Sequence, residues 1–276
     1  HLATGVVTGV STNGWTTVQL DRSYDSMVVV ASVNYDESQT PIVARVRTVS
    51  DDSFDVRIDR ADTSIAPIAG VTVHYVVVEE GLYTTAGHGV KMEAVRYSST
   101  QTDDNSNWSG EVRSYANNYA NPVVLGQVMS ANDPAWSVFW ARGSSATSPP
   151  NGSLYVGKHV GEDSDITRGD EIVGYIVIEA GSGTIDGQAY HAGVGSDSVK
   201  NVTASPPYTY SLSGLSSASV AVVSVAGMDG NNGGWPLLYG STPLSVTLLQ
   251  LAYDEDTIKA DERNHTTEQV AFIVFE

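Results

Sequence analysis

Apolar and polar residues alternate in short stretches along the whole chain, with turn residues between them. Phe54-Asp-Val-Arg-Ile-Asp59 is the cleanest case: Phe54, Val56 and Ile58 fall on one side, Asp55, Arg57 and Asp59 on the other. That period of two is the signature of a half-buried strand. Met27–Val33, Pro122–Val128 and Val220–Val225 are apolar runs that predict more deeply buried strands. Pro41–Val46, Trp136–Arg142, Leu154–Val160, Trp235–Tyr239 and Leu244–Leu248 predict others. Between Gly5 and Leu20 the strands are short and break at Asn13-Gly14, a strong turn dipeptide. No window combines helix-favouring residues with a helical period, so almost no helix is expected.

One pattern recurs three times. Residues 71–81 read Val-Thr-Val-His-Tyr-Val-Val-Val-Glu-Glu-Gly, 171–181 read Glu-Ile-Val-Gly-Tyr-Ile-Val-Ile-Glu-Ala-Gly, and 268–276 read Glu-Gln-Val-Ala-Phe-Ile-Val-Phe-Glu. In register, the aromatic falls at Tyr75, Tyr175 and Phe272, and an acid at Glu79, Glu179 and Glu276. A nearly constant period marks internal repeats, with boundaries at 4–82, 88–181 and 188–276. Each closing strand is apolar on both faces: in the first, Val71, Val73, Tyr75 and Val77 on one, Val76 and Val78 on the other. Such a strand must be covered on both sides. The expected architecture is therefore all-β: three antiparallel β-sandwich repeats packed around a pseudo-threefold axis, with the closing strand near it. His74 stands where the other copies have Gly174 and Ala271, and is expected to be a buried histidine at the repeat interface.

Three pieces of the first repeat, Met27-Val-Val-Val-Ala-Ser-Val-Asn-Tyr-Asp36, Phe54-Asp-Val-Arg-Ile58 and Val71-Thr-Val-His-Tyr-Val-Val-Val78, resemble the H-type lectin domain. The resemblance covers the core strands of all three repeats. It implies a six-stranded sandwich, assembly in threes, and sugar binding near protomer boundaries, typically of N-acetylgalactosamine. Here the trimer would be built within one chain. The resemblance carries no individual sugar-binding residue, because the copies differ most in their loops.

Composition narrows the partners. Thirty-two acids against 14 bases give a net charge of −18, which disfavours nucleic acid and anionic membrane surfaces. No stretch is apolar for long enough to span a membrane. The absence of cysteine excludes disulfides, thiolate zinc sites and cysteine nucleophiles, but not export. The expected protein is extracellular and bacterial in type, a monomer whose partner is a polysaccharide or other glycan.

Chemistry concentrates in the second repeat. By the period of two, Trp136, Trp140 and Arg142 share a strand face, as do Tyr155 and His159 on the neighbouring strand, with Lys158 opposite and Asp163 just beyond. Aromatic rings stack on sugar faces, and Arg, His and Asp bind hydroxyls or acids. Trp136, Trp140, Arg142, His159 and Asp163 are the expected carbohydrate-binding set. The alternatives are two core tryptophans beside a solvated charge run, or a polysaccharide lyase. A lyase on an anionic glycan would use Arg142 and Lys158 to neutralise a uronate, and His159 or Tyr155 to move its proton, with Tyr190 and His191 as further candidates. Glu162, Asp163 and Glu179 offer a paired-carboxylate glycosidase, though Glu179 recurs in every repeat and reads as scaffold. A structural or adhesion module with no small ligand is a third alternative. No cofactor is expected; calcium is a candidate at Asp229 and Asn231, where hard oxygen ligands cluster without EF-hand spacing, and acids also cluster at Asp103-Asp104-Asn105 and Asp254-Glu255-Asp256. His1 could form half of a copper brace only with a second histidine that the sequence does not identify.

Overall fold

A computed structural model describes residues 2–276. Set one contains β1 (Leu2–Val10), β2 (Thr16–Gln19), β3 (Met27–Tyr35), β4 (Ile42–Ser50), β5 (Ser53–Arg60) and β6 (Val71–Glu79). A short strand β7 (Gly81–Tyr83) and one helical turn α1 (Thr85–His88) lead to set two. Set two contains β8 (Met92–Ser99), β9 (Glu111–Arg113), β10 (Pro122–Val128), β11 (Val138–Arg142), β12 (Leu154–His159) and β13 (Glu171–Glu179). After β14 (Gly181–Ile185), set three contains β15 (Gln188–Val194), β16 (Tyr208–Ser211), β17 (Val220–Val225), β18 (Trp235–Tyr239), β19 (Leu248–Asp254) and β20 (Val270–Phe275). The protein is all-β.

The three sets pair their strands alike. The closing strand lies between the first and third in each: β1-β6-β3, β8-β13-β10 and β15-β20-β17. The second, fifth and fourth strands form the facing sheet: β2-β5-β4, β9-β12-β11 and β16-β19-β18. Each pair of sheets encloses an apolar core in which the aromatic of the closing strand packs: Tyr75 on Phe54, Tyr175 on Tyr97, and Phe272 on Tyr210, with ring centroids 5.2, 6.3 and 5.7 Å apart. One pairing departs from the pattern. β18 runs parallel to β3 at Leu238–Asn34 and Tyr239–Tyr35, joining two sheets into one of six strands.

The acid column closes the strand ends. Glu79 accepts backbone N–H bonds from Asp25 and Ser26, Glu179 from Ala120 and Asn121, and Glu276 from Ser216. Each carboxylate thus fixes the loop entering its set's third strand.

The third strands, rather than the closing ones, meet one another: β3, β10 and β17 are in mutual contact, and each also touches the closing strand of another set. Matching positions make matching bonds. Ala31 N–H donates to Gln127 Oε1 at 3.2 Å, Gly126 N–H to Ser224 Oγ at 3.1 Å, and Val223 N–H to Ser32 Oγ at 2.9 Å. Ser32, Gln127 and Ser224 stand opposite His74, Gly174 and Ala271 in the closing strands. His74 is buried, with its pKa pushed down to about 4 by burial, and accepts a 3.3 Å bond from Ala221 N–H.

Sequence and structure disagree over two strands. β11 starts at Val138, so Trp136 lies in the loop before it. Leu244–Leu248 is mostly loop, and the strand runs from Leu248 to Asp254. There Leu249, Leu251 and Tyr253 are buried while Val246 and Leu248 are exposed. The apolar alternation changes phase at Leu248–Leu249, and the phase inside the strand, Leu249, Leu251 and Tyr253, is the one buried.

Candidate functional site

Strands β11 and β12 pair Val138 with His159, Trp140 with Gly157, and Arg142 with Tyr155. These six residues share the outer face of the set two sandwich; Phe139, Lys158, Ala141 and Val156 line the inner side. The structure therefore brings Trp140, Arg142, Tyr155 and His159 together, and sets Lys158 on the opposite face.

That outer face is roofed. Residues 100–110 leave β8, pair briefly with the end of β12, then cross the sheet before β9 begins. Asp103 is the pin. Its carboxylate accepts from the Trp140 indole N–H at 2.8 Å, and from the backbone of Ser109 and Gly110 at 3.2 and 3.0 Å. Trp108 lies edge-on to both Trp140 and His159, with centroids 5.2 and 5.3 Å away. Arg142 donates to the Ser109 carbonyl and stacks on Tyr155 at 3.7 Å. Lys158 holds the base of the roof, its ammonium bonded to the carbonyls of Ser99 at 3.1 Å and Gln101 at 2.8 Å. Burial drives its pKa down.

Burial decides what these residues can touch. Trp140, Lys158 and His159 each have 0 % exposure, and Trp136 has 5 %. Burial pushes His159 down to about 3, so it is neutral, and its Nδ1 accepts from Gly161 N–H. Trp136 packs edge-on against Trp235 in an apolar cluster that draws Val43 and Ala61 from set one, Val160 from set two and Trp235 from set three. These four side chains consequently offer no face to a sugar ring, a correction that follows from the roof and the seams between sets. Arg142 and Tyr155 stay half-buried. Asp163 is held in an ion pair with Arg168 at 2.9 Å.

The other candidates are similarly placed. Glu179 has an ion pair to Lys91 at 3.0 Å besides its backbone bonds, and the backbone N–H of Glu162 donates to Asp256. Asn231 gives its side-chain N–H to the Asn105 carbonyl, and its own carbonyl accepts from Trp108. Burial and neighbouring Glu268 push Asp229 up to about 6. Among the described residues no group of three or more His, Cys, Asp or Glu is arranged to hold a metal ion. His1 lies outside the described residues.

A groove of about 820 Å³ lies between sets two and three. Set two contributes the loop at Pro149, Pro150 and Asn151 and the start of β10; set three contributes His191, Ser196, Thr209, Tyr210, Ser211, Gln269 and Phe272. Two glycines shape it. The Tyr210 ring lies where a side chain on Gly195 would project, and the Phe272 ring crowds the same space at Gly193. Tyr210 is fixed by donating to the Ser196 carbonyl at 2.8 Å and accepting from Val270 N–H. His191 lies edge-on to Phe272 at 5.5 Å and accepts from Ser213 N–H, and burial lowers its pKa, leaving it neutral. Among the described residues no Asp, Glu, Lys or Arg lines the groove, on a chain whose net charge is −18.

Asn151, Tyr210 and Gln269 were given no role in the sequence. The Gly-x-Gly at 193–195 was the available signal, since glycines spaced by two in a strand leave one face open for aromatic rings. No family model matches the chain, and neither does any curated protein or solved structure compared with it. Among the described residues no helix is long and apolar enough to cross a membrane.

Proposed function

We propose that the chain binds carbohydrate, and that it does so as three β-sandwich units (4–82, 88–181 and 188–276) packed around a pseudo-threefold axis. The three matching backbone-to-side-chain bonds among β3, β10 and β17 support that packing, as does the resemblance to H-type lectins. In this reading the protein works outside the cell, where glycans are presented.

The observation that carries the reading is the neutral groove between sets two and three. Its open lining combines Pro149 and His191 with the hydroxyl and amide groups of Asn151, Ser196, Thr209 and Ser211, while Tyr210 and Phe272 back it as buried rings. That mixture suits a pyranose, with its C–H faces and rim of hydroxyls. The same lining disfavours an anionic glycan, which would enter without a cation to meet its carboxylate. The lyase alternative has less support: of its four residues Lys158 and His159 are wholly buried, and the half-buried Arg142 and Tyr155 stack on each other at 3.7 Å.

An immobilised-glycan array followed by calorimetry tests the reading. A neutral glycan should be retained, and Asn151→Ala together with His191→Ala should weaken it by about tenfold or more, roughly 1.4 kcal/mol. A Trp15→Ala variant, altered on set one, should bind as wild type. Retention of no glycan would sink the proposal. Turnover of an anionic glycan, with a new double bond absorbing in the ultraviolet, would replace it.

A further inference from the structure

Residues 255–268 of set three form a strap that reaches the other two sets. Thr257 N–H donates to the Ala61 carbonyl at 2.9 Å, and Arg263 donates to the Gln39 carbonyl at 2.8 Å, both in set one. Arg263 also grips Asp254, which in turn bonds the Tyr35 hydroxyl of set one. Toward set two, Asp256 accepts from Glu162 N–H at 2.8 Å. The strap therefore ties set three to both neighbours.

Its two ends are joined by one side chain. His265 Nδ1 lies 2.9 Å from Glu255 Oε2, and Nε2 lies 2.8 Å from Glu268 Oε1. Glu255 opens the strap and Glu268 ends it. Glu268 also accepts from the backbone of Asp229 and Gly230, adding the loop before β18 to the junction. The imidazole stacks on Tyr253, centroids 4.5 Å apart at 25°, and Gly230 leaves the space that its edge occupies. Both ring nitrogens face carboxylate oxygens, so both must carry a proton for both bonds to form, whereas a neutral imidazole has one N–H.

We propose that His265 is a proton-dependent clasp, which holds the strap closed over the seam of the three sets while doubly protonated and releases it in alkali. The charged and titratable groups around it are Glu255, Glu268, Asp229, Tyr253 and, from β12, His159. Burial alone would depress His265, but the bonds to Glu255 and Glu268 outweigh it and hold the ring at about 9. The contribution is complete below the ordinary histidine value of 6.5 and is lost as pH rises through about 9. Glu255, its Oε1 buried without a partner, gains nothing that would keep the strap closed once the imidazole is neutral.

Trypsin reads the strap directly, because Lys259 and Arg263 lie within it. Cleavage at Arg263, normalised to a free peptide substrate at each pH, should rise by about tenfold or more between pH 7.5 and pH 9.5. The His265→Gln variant should be cut fast at both. If that variant does not fold, Glu255→Gln serves instead: with one carboxylate gone, the rise should move to lower pH. A wild-type rate that ignores pH, a pH dependence that survives His265→Gln, or an unshifted rise in Glu255→Gln would each overturn the clasp. So would simultaneous cleavage throughout the chain, which would signal global unfolding rather than release of the strap.

Discussion

The outer sheets of sets one and two have the same strand layout and opposite fates. Register aligns Arg45, Arg47, Asp55, Arg57 and Asp59 of the first with Trp140, Arg142, Tyr155, Gly157 and His159 of the second. In set one, residues 11–15 join the first two strands; in set two, residues 100–110 do so. Five residues make a turn, and eleven make a turn and a roof. On the short-loop side the face is built from ions. Arg57 pairs with Asp59 at 2.7 Å, Arg47 with Asp55 at 3.2 Å, and both guanidinium groups lie over the Trp15 ring, at 4.6 and 4.2 Å respectively. Under the roof the face is aromatic, with Trp140 and His159 wholly buried. The longer link covers the tryptophan of set two, whereas Trp15 of set one stays half-exposed.

Exchanging one residue between the faces should break the comparison most sharply. Gly157 sits under Asp103 and the Trp140 indole, each 3.3 Å from where a Cβ would be. Gly157→Arg gives set two the residue that set one carries, and should lift the roof at a cost of about 4 kcal/mol, read by denaturant unfolding. The reverse change, Arg57→Gly, should cost only about 1 kcal/mol. Removing the pin is next. Asp103→Ala leaves the Trp140 N–H and two backbone N–H groups without acceptors, and should cost about 3 kcal/mol. Red-shifted tryptophan emission would accompany it, and Asp55→Ala on the open face should leave emission and stability nearly unchanged.

The seam beside the roof should also respond to acid. Asp256, which receives Glu162 N–H, is pushed up to about 6 by burial. A raised carboxylate contributes stability that is complete below its unfolded value near 3.8 and lost as pH rises through about 6. Melting temperature should therefore fall across that interval, with Asp256→Asn flattening the slope; a shift of this size corresponds to roughly 2–3 kcal/mol. A wild-type profile that rises with pH there would contradict the assignment. A small effect is expected at Trp15→Ala, about 1 kcal/mol by thermal unfolding, from the loss of two half-exposed cation–π contacts.

These contrasts also explain what was legible in advance. The closing strands could be read because Val71–Glu79, Glu171–Glu179 and Val270–Phe275 carry their own signal: apolar on both faces, with a glutamate at the end. The outer face of β12 could be read as a face, since Tyr155 and His159 do share it. Its burial could not, because nothing local to β12 distinguishes a histidine in water from one beneath a loop that departed some fifty residues earlier. Trp108 and Asp103, which settle the matter, sit in a polar stretch without periodicity. The groove was missed for a related reason: Asn151 and Tyr210 belong to different sets and meet only through the packing between them.

The ring of bonds from Ala31 to Gln127, Gly126 to Ser224 and Val223 to Ser32 has a consequence for how such a chain can change. In an assembly of three identical chains, every substitution is made three times, so an acceptor near the centre must suit all its copies at once. A single chain lifts that constraint. Glutamine serves at one position and serine at the other two, the link between first and second strands can be short in one set and long in the next, and a groove can take shape on one flank without imposing the same shape on the others.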